Sequence, residues 1–486
     1  MNTRPVHAEN PVPVVSGTSQ MLGERLEHQE QTTARLLRPV RLAGYSPMTT
    51  PDLDLVELHE RKSGAAITAR LIELAGVGSQ GPVCLRPELT VGVVRGLIES
   101  GELGSEPVRV HVKGPVYRLT GESAESLTQI HQIGVELLGD ATVEADAEVI
   151  ALADRCLTAA GISGHRIKIG DVGLILEAIT AAGLPEETRM AVVETLADAG
   201  AAGHGLGQAE EALVHWADWL GDQKSGRAES ATGGEKSADH DLERLFHQLV
   251  PHVVGRRTDS EILGRLRQKW SLARRLPEAL KKAAAVVHEI GAISGPTDDV
   301  LRRLQASSAG TLARTSLERL GRLVHLLQSR YGIEASRITL DFSVARGIGF
   351  YSGLVFSIHA GSADAEELAG GGRYDGLAGV LGGKAPADFG VGFAIGLERA
   401  TRHAKNGNTA AKSPVIIILP EESAAEKHAT NLIVRLHAAD TAARLATPGD
   451  DPALNRDAIV VVSADGSIQA SEKMRGLIQQ LQKTAK

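Results

Sequence analysis

A chain of 486 residues, 42% of them hydrophobic, is long enough to bury two or three separate cores. Its formal net charge of −8 excludes a dominant nucleic-acid face, which would need a basic surface. Two cysteines, Cys84 and Cys156, exclude a disulfide scaffold and show no zinc-site spacing, and no apolar run approaches the roughly 20 residues that span a bilayer. Both cysteines read as buried apolar thiols, and the chain as soluble and cytoplasmic.

Residues 1–20 lack an apolar signal core and read as a flexible arm. Helical spacing follows over Glu24–Arg38, which Pro39 and Gly44 should end. Tyr45–Thr50 reads as extended, closed by Pro51. Cys84-Leu-Arg-Pro-Glu-Leu-Thr90 then precedes a helix over Val91–Glu99. Thr90 is placed to cap that helix and equally to meet a ligand, and Glu88 just ahead of it to complement its dipole. His111–Asp140 reads as a hairpin. One arm ends at Arg118, residues 121–126 turn, and Gln129–Glu136 leaves with alternating faces, aiming Arg118, Gln132 and Glu136 into a cleft. A helix over Ala145–Ala160 and a strand over Arg166–Gly170 complete this half.

From residue 172 the pattern is almost wholly helical, through Arg189–Ala199, Ala209–Leu220, Asp259–Gly291 and Leu312–Tyr331. Residues 221–239 are polar and of low complexity, too poor in apolar groups to order themselves. Residues 172–334 therefore read as a helical insertion with a disordered loop. Strands resume at Ile338–Phe342 and Gly347–His359. The strand signal continues at Gly370-Gly-Gly-Arg-Tyr-Asp-Gly, whose triple glycine lacks the Lys-Ser/Thr ending of a phosphate loop and fits a mobile turn as well. A strand over Gly390–Ile395 runs into a helix bearing Glu398 and Arg399. One α+β domain over 21–405, its sheet interrupted by helices and then resumed, accounts for this order. After a linker at Asn406–Ser413, residues 414–486 read as a small α/β module. Eight Lys/Arg against nine Asp/Glu from Pro414 onward leave it no basic stripe.

Three arginines, Arg118, Arg346 and Arg399, sit at strands or strand ends, and guanidinium forks suit carboxylates or phosphates, although a salt bridge is the commoner role for any one arginine. Glu88, Gln132 and Glu136 suit an ammonium group and a polar side chain. In Ala345–Phe356 glycines interleave with aromatics, which fits either close approach to a ligand or a bend in the strand.

Leu85-Arg-Pro-Glu-Leu-Thr, Gly114-Pro-Val-Tyr-Arg, His131-Gln-Ile-Gly-Val-Glu, Arg346-Gly-Ile-Gly-Phe-Tyr and Gly371-Gly-Arg-Tyr-Asp-Gly through Gly392-Phe-Ala-Ile-Gly-Leu-Glu-Arg occur together in this order. Over roughly residues 20–400 the chain thus resembles the catalytic core of histidyl-tRNA synthetases. The resemblance implies a class II synthetase fold, an antiparallel sheet flanked by helices, dimeric with Pro51 at the interface, and with Arg118 in motif 2 and Arg399 in motif 3. It implies a histidine pocket with Glu88 and Thr90 near the amino group, Gln132 and Glu136 around the ligand, Arg346 at the carboxylate and Tyr351 beside the imidazole.

The chain departs from that family where nucleotide is held. The motif 2 loop carries Thr120, Gly121, Ser126 and Thr128 at the expected charged positions. Each charge-assisted hydrogen bond is worth roughly 1.5–3 kcal/mol, so these losses dismantle much of the stabilisation adenylate formation needs. Ile348-Gly-Phe-Tyr replaces the usual Leu-Asp-Tyr-Tyr. Only about ten residues separate Thr447 from Ala458, too few for the helix of an anticodon-binding domain, and the balanced charge makes tRNA a poor partner. Leu89 after the glutamate and the Gly349-Phe-Tyr-Ser-Gly-Leu-Val-Phe strand are similar to ATP phosphoribosyltransferase regulatory subunits. That group implies a noncatalytic dimer, without metal or cofactor, that joins a short catalytic phosphoribosyltransferase and transmits feedback by L-histidine. Arg118 and Arg399 would be residues of a former nucleotide site. The retained Arg399 and the C-terminal module depart from that group. A divergent histidyl-tRNA synthetase and a stand-alone histidine-binding protein are the alternatives.

Overall fold

The computed structural model describes residues 14–61, 71–76, 80–119, 129–184, 192, 210–211, 213–218, 277–342, 351–361, 366–405, 416–438, 441–446, 459–471, 475–476 and 478. The chain divides into two compact units, Met1–Lys405 and Asn406–Lys486. Among the described residues no helix is long and apolar enough to cross a membrane.

The strands of the first unit are β1 (Ser46–Met48), β2 (Leu53–Leu55), β3 (Ile72–Leu74), β4 (Val83–Leu85), β5 (Val108–Tyr117), β6 (Gln129–Leu138), β7 (Arg166–Asp171), β8 (Ser294–Pro296), β9 (Ile338–Asp341), β10 (Leu354–His359), β11 (Glu367–Arg373) and β12 (Gly390–Gly396). Nine form one sheet in the order β1-β5-β6-β12-β11-β10-β7-β9-β8, and β2-β4-β3 form a small second sheet. In the large sheet the β1/β5 and β7/β9 pairs are parallel and the other pairs antiparallel. The second unit holds β13 (Ile416–Pro420), β14 (Ala443–Leu445), β15 (Ile459–Val462) and β16 (Ile468–Ala470), in the order β14-β13-β15-β16. Its apolar run Ile416–Ile418 packs under the helix Glu426–Ala438 through Ala429, Leu432 and Leu436.

Alternation gives the large sheet two unlike faces. Ile133, Val135 and Leu137 of β6, Val391, Phe393 and Ile395 of β12, and Leu354, Phe356 and Ile358 of β10 share one core with helix Val143–Ala159 and with Leu36, Leu37 and Val40 of helix Glu24–Leu42. Each such side chain contributes roughly 1.5–3 kcal/mol by leaving water. The opposite face carries Gln132, Gly134 and Glu136 beside Gly392, Ala394, Gly370 and Gly372. Glycines in place of side chains clear a floor there.

The structure corrects several expectations. Pro39 does not end its helix, which runs on to Leu42, because fully buried Val40 continues the stripe begun by Leu36 and Leu37. That packing outweighs the hydrogen bond that Pro39 cannot donate. Gly370–Gly372 are not a turn but the middle of β11, fixed by ladders on both sides. Among the described residues of 172–334, helices dominate as expected, and the short strand Ser294–Pro296 is added at the sheet edge against β9. The helix expected over Leu312–Tyr331 is Arg314–Ser329, preceded by an unforeseen short helix Ser308–Leu312. Residues 221–239, the linker 406–413 and Arg346 lie outside the described residues.

One buried ion cluster ties β11 to two helices. Asp146, in the first turn of helix Val143–Ala159, accepts from Arg373 Nε at 2.8 Å and from Arg319 Nη2 of helix Arg314–Ser329 at 2.6 Å. Arg373 also donates to the carbonyls of Asp140 and Thr142. With Asp146 1% exposed and Arg373 3% exposed, deleting the acid leaves the buried guanidinium with Asp375, at 3.0 Å, as its remaining carboxylate partner. Asp146→Ala should lower stability by about 2–4 kcal/mol in urea unfolding, and a loss under about 1 kcal/mol would show that Asp375 and water satisfy Arg373 instead.

Candidate functional site

The glycine-floored face opens into a cavity of about 160 Å³. Glu88, Thr90, Arg118, Gln132, Glu136 and Tyr351 all line it. These six come from three distant stretches, the start of helix Thr90–Ser100, the β5/β6 hairpin and the approach to β10. Arg399 is not among the lining residues.

Glu88 takes the helix start. Its Oε2 accepts from the Thr90 amide at 2.6 Å and its Oε1 from the Val91 amide at 2.8 Å, so the carboxylate satisfies two otherwise orphaned donors. Thr90 is thereby freed from capping. Its hydroxyl instead donates to Glu136 Oε1 at 2.7 Å. The Tyr374 hydroxyl donates to Glu136 Oε2 at 2.5 Å. Glu136 is 1% exposed, and burial pushes its carboxyl from an ordinary 4.5 up to about 8, against the lowering effect of both hydroxyls and with a further rise from nearby Glu88. The same burial, with the Glu136 charge next in weight, holds the Tyr351 phenol well above its usual range, so it remains a donor.

Bare backbone makes this packing possible. A Cβ on Gly392 would stand 1.8 Å from Glu136 Oε2, and one on Gly372 would stand 2.8 Å from the Tyr351 ring. Neither position has room for alanine without displacing a group of the cavity.

The two arginines expected around a nucleotide are placed differently. Arg118 lines the cavity, yet its Nε donates to the Pro87 carbonyl at 2.7 Å. Arg399 lies on helix Leu397–His403, where Nη1 donates to the Glu367 carbonyl at 3.1 Å and Nε stands 3.8 Å from Glu366. Its neighbour Glu398 accepts from the His131 amide at 2.9 Å and from His131 Nδ1 at 2.8 Å. Burial raises the Glu398 carboxyl, but these bonds outweigh it and leave it below the usual range.

Sequence reasoning missed Tyr374 and Glu367. Preferring the strand signal over the turn at Gly370–Gly372 would have found Tyr374, since period-two alternation carries 370, 372 and 374 to one side. No alternation could have found Glu367, which owes its direction to an irregularity in β11.

A largely antiparallel nine-stranded sheet, helices on one face and a polar cavity on the other, is a class II synthetase-like architecture. A family model described as histidyl-tRNA synthetase matches residues 17–300 and 244–400, and the chain belongs to that family. Relatives include the ATP phosphoribosyltransferase regulatory subunit of Anaeromyxobacter dehalogenans, 27% identical over 387 residues that cover 80% of this chain and 90% of that protein. The histidine–tRNA ligase of Thermococcus kodakarensis is 26% identical over 79% of this chain and 72% of its own. A solved structure described as an ATP phosphoribosyltransferase regulatory subunit/histidyl-tRNA synthetase from Bacillus halodurans shares the fold with a TM-score of 0.63, at 19% identity over 95% of this chain and 99% of that one.

The buried carboxyl has a measurable signature. The folded form holds the Glu136 proton up to about pH 8, whereas the unfolded chain releases it near 4.5, so folding takes up a proton in between. Stability present below pH 4.5 is therefore lost as pH rises to 8. In urea unfolding from pH 5 to 8, the wild type should lose stability by a few kcal/mol relative to Glu136→Gln, and parallel curves for the two proteins would contradict the assignment.

Proposed function

We propose that the chain is a noncatalytic regulatory subunit of an ATP phosphoribosyltransferase, a homodimer that binds L-histidine in this cavity and transmits its presence to a short catalytic subunit. The observation that carries this reading is an asymmetry within one site. Glu88, Thr90, Gln132, Glu136 and Tyr351 converge on the cavity as a zwitterion with a polar ring requires, with Arg346 assigned to the ligand carboxylate. Arg118 and Arg399, in contrast, each give a donor to a backbone carbonyl, and the loop after Arg118 carries Thr120, Gly121, Ser126 and Thr128 where a nucleotide would need charged residues. The names of relatives at 27% identity along most of the chain agree.

Histidine would regulate through differential affinity for two states of the assembly, since a ligand that binds both states equally shifts nothing. A divergent histidyl-tRNA synthetase is the second reading, favoured by the retained Arg399 and by relatives named as ligases. Histidine-dependent ATP–pyrophosphate exchange separates the two. The purified chain should show none while copurifying with and activating the short phosphoribosyltransferase of its source, whereas robust exchange would overturn the regulatory reading. In calorimetry, Arg346→Ala should weaken histidine binding at least about tenfold, the worth of a charge-assisted pair, and unchanged affinity would remove Arg346 from the site.

A further inference from the structure

The cavity floor extends past the groups assigned to the amino acid. Across the strands, Glu136, Gly392, Gly372 and Val355 form one row and Gly134, Ala394, Gly370 and Ser357 the next. Regular alternation would put Leu368 opposite His359 in the following row. A β-bulge between Ile358 and His359 pairs His359 with Glu367 instead. Leu368 and Ala369, at 1% and 2% exposed, both stay in the apolar core, and Glu367 turns to the ligand face. Bulges re-aim side chains in this way at functional sites. Its Oε1 reaches to 3.1 Å from where a Cβ would stand on Gly370, so the carboxylate leans back over the glycine floor. Glu367 lines the cavity, and its charge raises the Tyr351 phenol across it.

We propose that Glu367 is a specificity-determining residue, whose carboxylate over the glycine floor bars phosphate-bearing ligands from a cavity that small residues would otherwise leave open to them. The inference rests on the reading of the cavity as an amino-acid site and adds the class of ligand it refuses. Among the described lining residues, Glu88 and Glu367 are the charged acids, Glu136 holding its proton, and Arg118 is the base. Glu367 leans over the floor at Gly370, so a phosphate seated on that part of the floor lies beside its carboxylate. Like charges that close, partly withdrawn from water, lower affinity by roughly ten- to a hundredfold.

The test is equilibrium dialysis of the full chain against ATP, and separately against inorganic pyrophosphate, for wild type, Glu367→Asp, Glu367→Gln and Glu367→Ser, each checked for an unshifted thermal midpoint. Gln and Ser variants should bind both probes at least tenfold more tightly than wild type, and the Asp variant should behave as wild type does. No gain in the Gln variant overturns the proposal, whether no protein binds the probes or only the Ser variant does, because the second pattern would mean bulk and not charge. Dialysis of wild type against histidine runs beside it. Failure there sinks the amino-acid reading, while the phosphate arms still report on Glu367.

Discussion

A carboxyl sealed inside a β-sheet must be supplied with hydrogen-bond donors from every direction the sheet leaves open, and Glu136 sets that demand here. At 1% exposure it draws a hydroxyl from Thr90 at the start of a helix and another from Tyr374 beyond β11, while Gly392 on the neighbouring strand gives up its side chain to make room. These groups come from positions 90, 136, 374 and 392, and none is useful without the others. Thr90 is available only because Glu88 has taken over the helix start. A buried polar group this expensive to leave unsatisfied explains why several otherwise unrelated local features occur together.

The segment that supplies Glu88 and Thr90 is itself held from two sides. Arg86, 3% exposed, donates through Nε to the Pro115 carbonyl at 2.7 Å and through Nη1 to the carbonyls of Thr50 at 2.7 Å and Pro51 at 3.2 Å, and pairs with Asp52 at 2.7 Å. Its guanidinium fills the space above Gly114, where a Cβ would lie 2.1 Å from Nη2. Arg118 then fastens the next residue through the Pro87 carbonyl. Two arginines thus fix the backbone on which the acids stand, one in front of the helix and one at the end of β5. Arg118 is therefore part of the frame of the cavity as well as of its wall, which a motif position alone does not reveal.

What could be read from the residues follows from what patterns encode. The arms of the β5/β6 hairpin were legible because one buried face imposes strict alternation, and Gln132, Gly134 and Glu136 fall on the other face as that period requires. Pro39 and Gly370–Gly372 misled because local propensity was read without tertiary context. A proline can be carried by a helix whose next residue is fully buried, and glycines can be held in a strand when both neighbours supply ladders. Glu367 was hidden for a different reason, since a bulge breaks the period on which such readings depend. Arg399 was placed correctly after a strand, yet nothing in a sequence fixes where its fork points. Both cysteines are buried, as two free thiols without disulfide or zinc spacing implied.

The arrangement around Tyr374 bears on how a site of this kind reports its state. The hydroxyl of Tyr374 touches Glu136 in the cavity, and the residue before it, Arg373, is locked to Asp146 and through it to Arg319 on helix Arg314–Ser329. A ligand ammonium beside Glu136 favours the ionised carboxyl over the protonated one, and so changes what the Tyr374 and Thr90 hydroxyls must donate to. Spatial continuity of this sort is not yet coupling, which requires two arrangements of the cluster with different ligand affinities. It does restrict where the second arrangement can lie. The glycine floor offers few side chains to repack and the opposite face is a close-packed core, so the polar groups are the readiest route for a change that leaves the sheet intact, and the Arg373–Asp146–Arg319 cluster is a polar connection that leads from β11 to helix Arg314–Ser329.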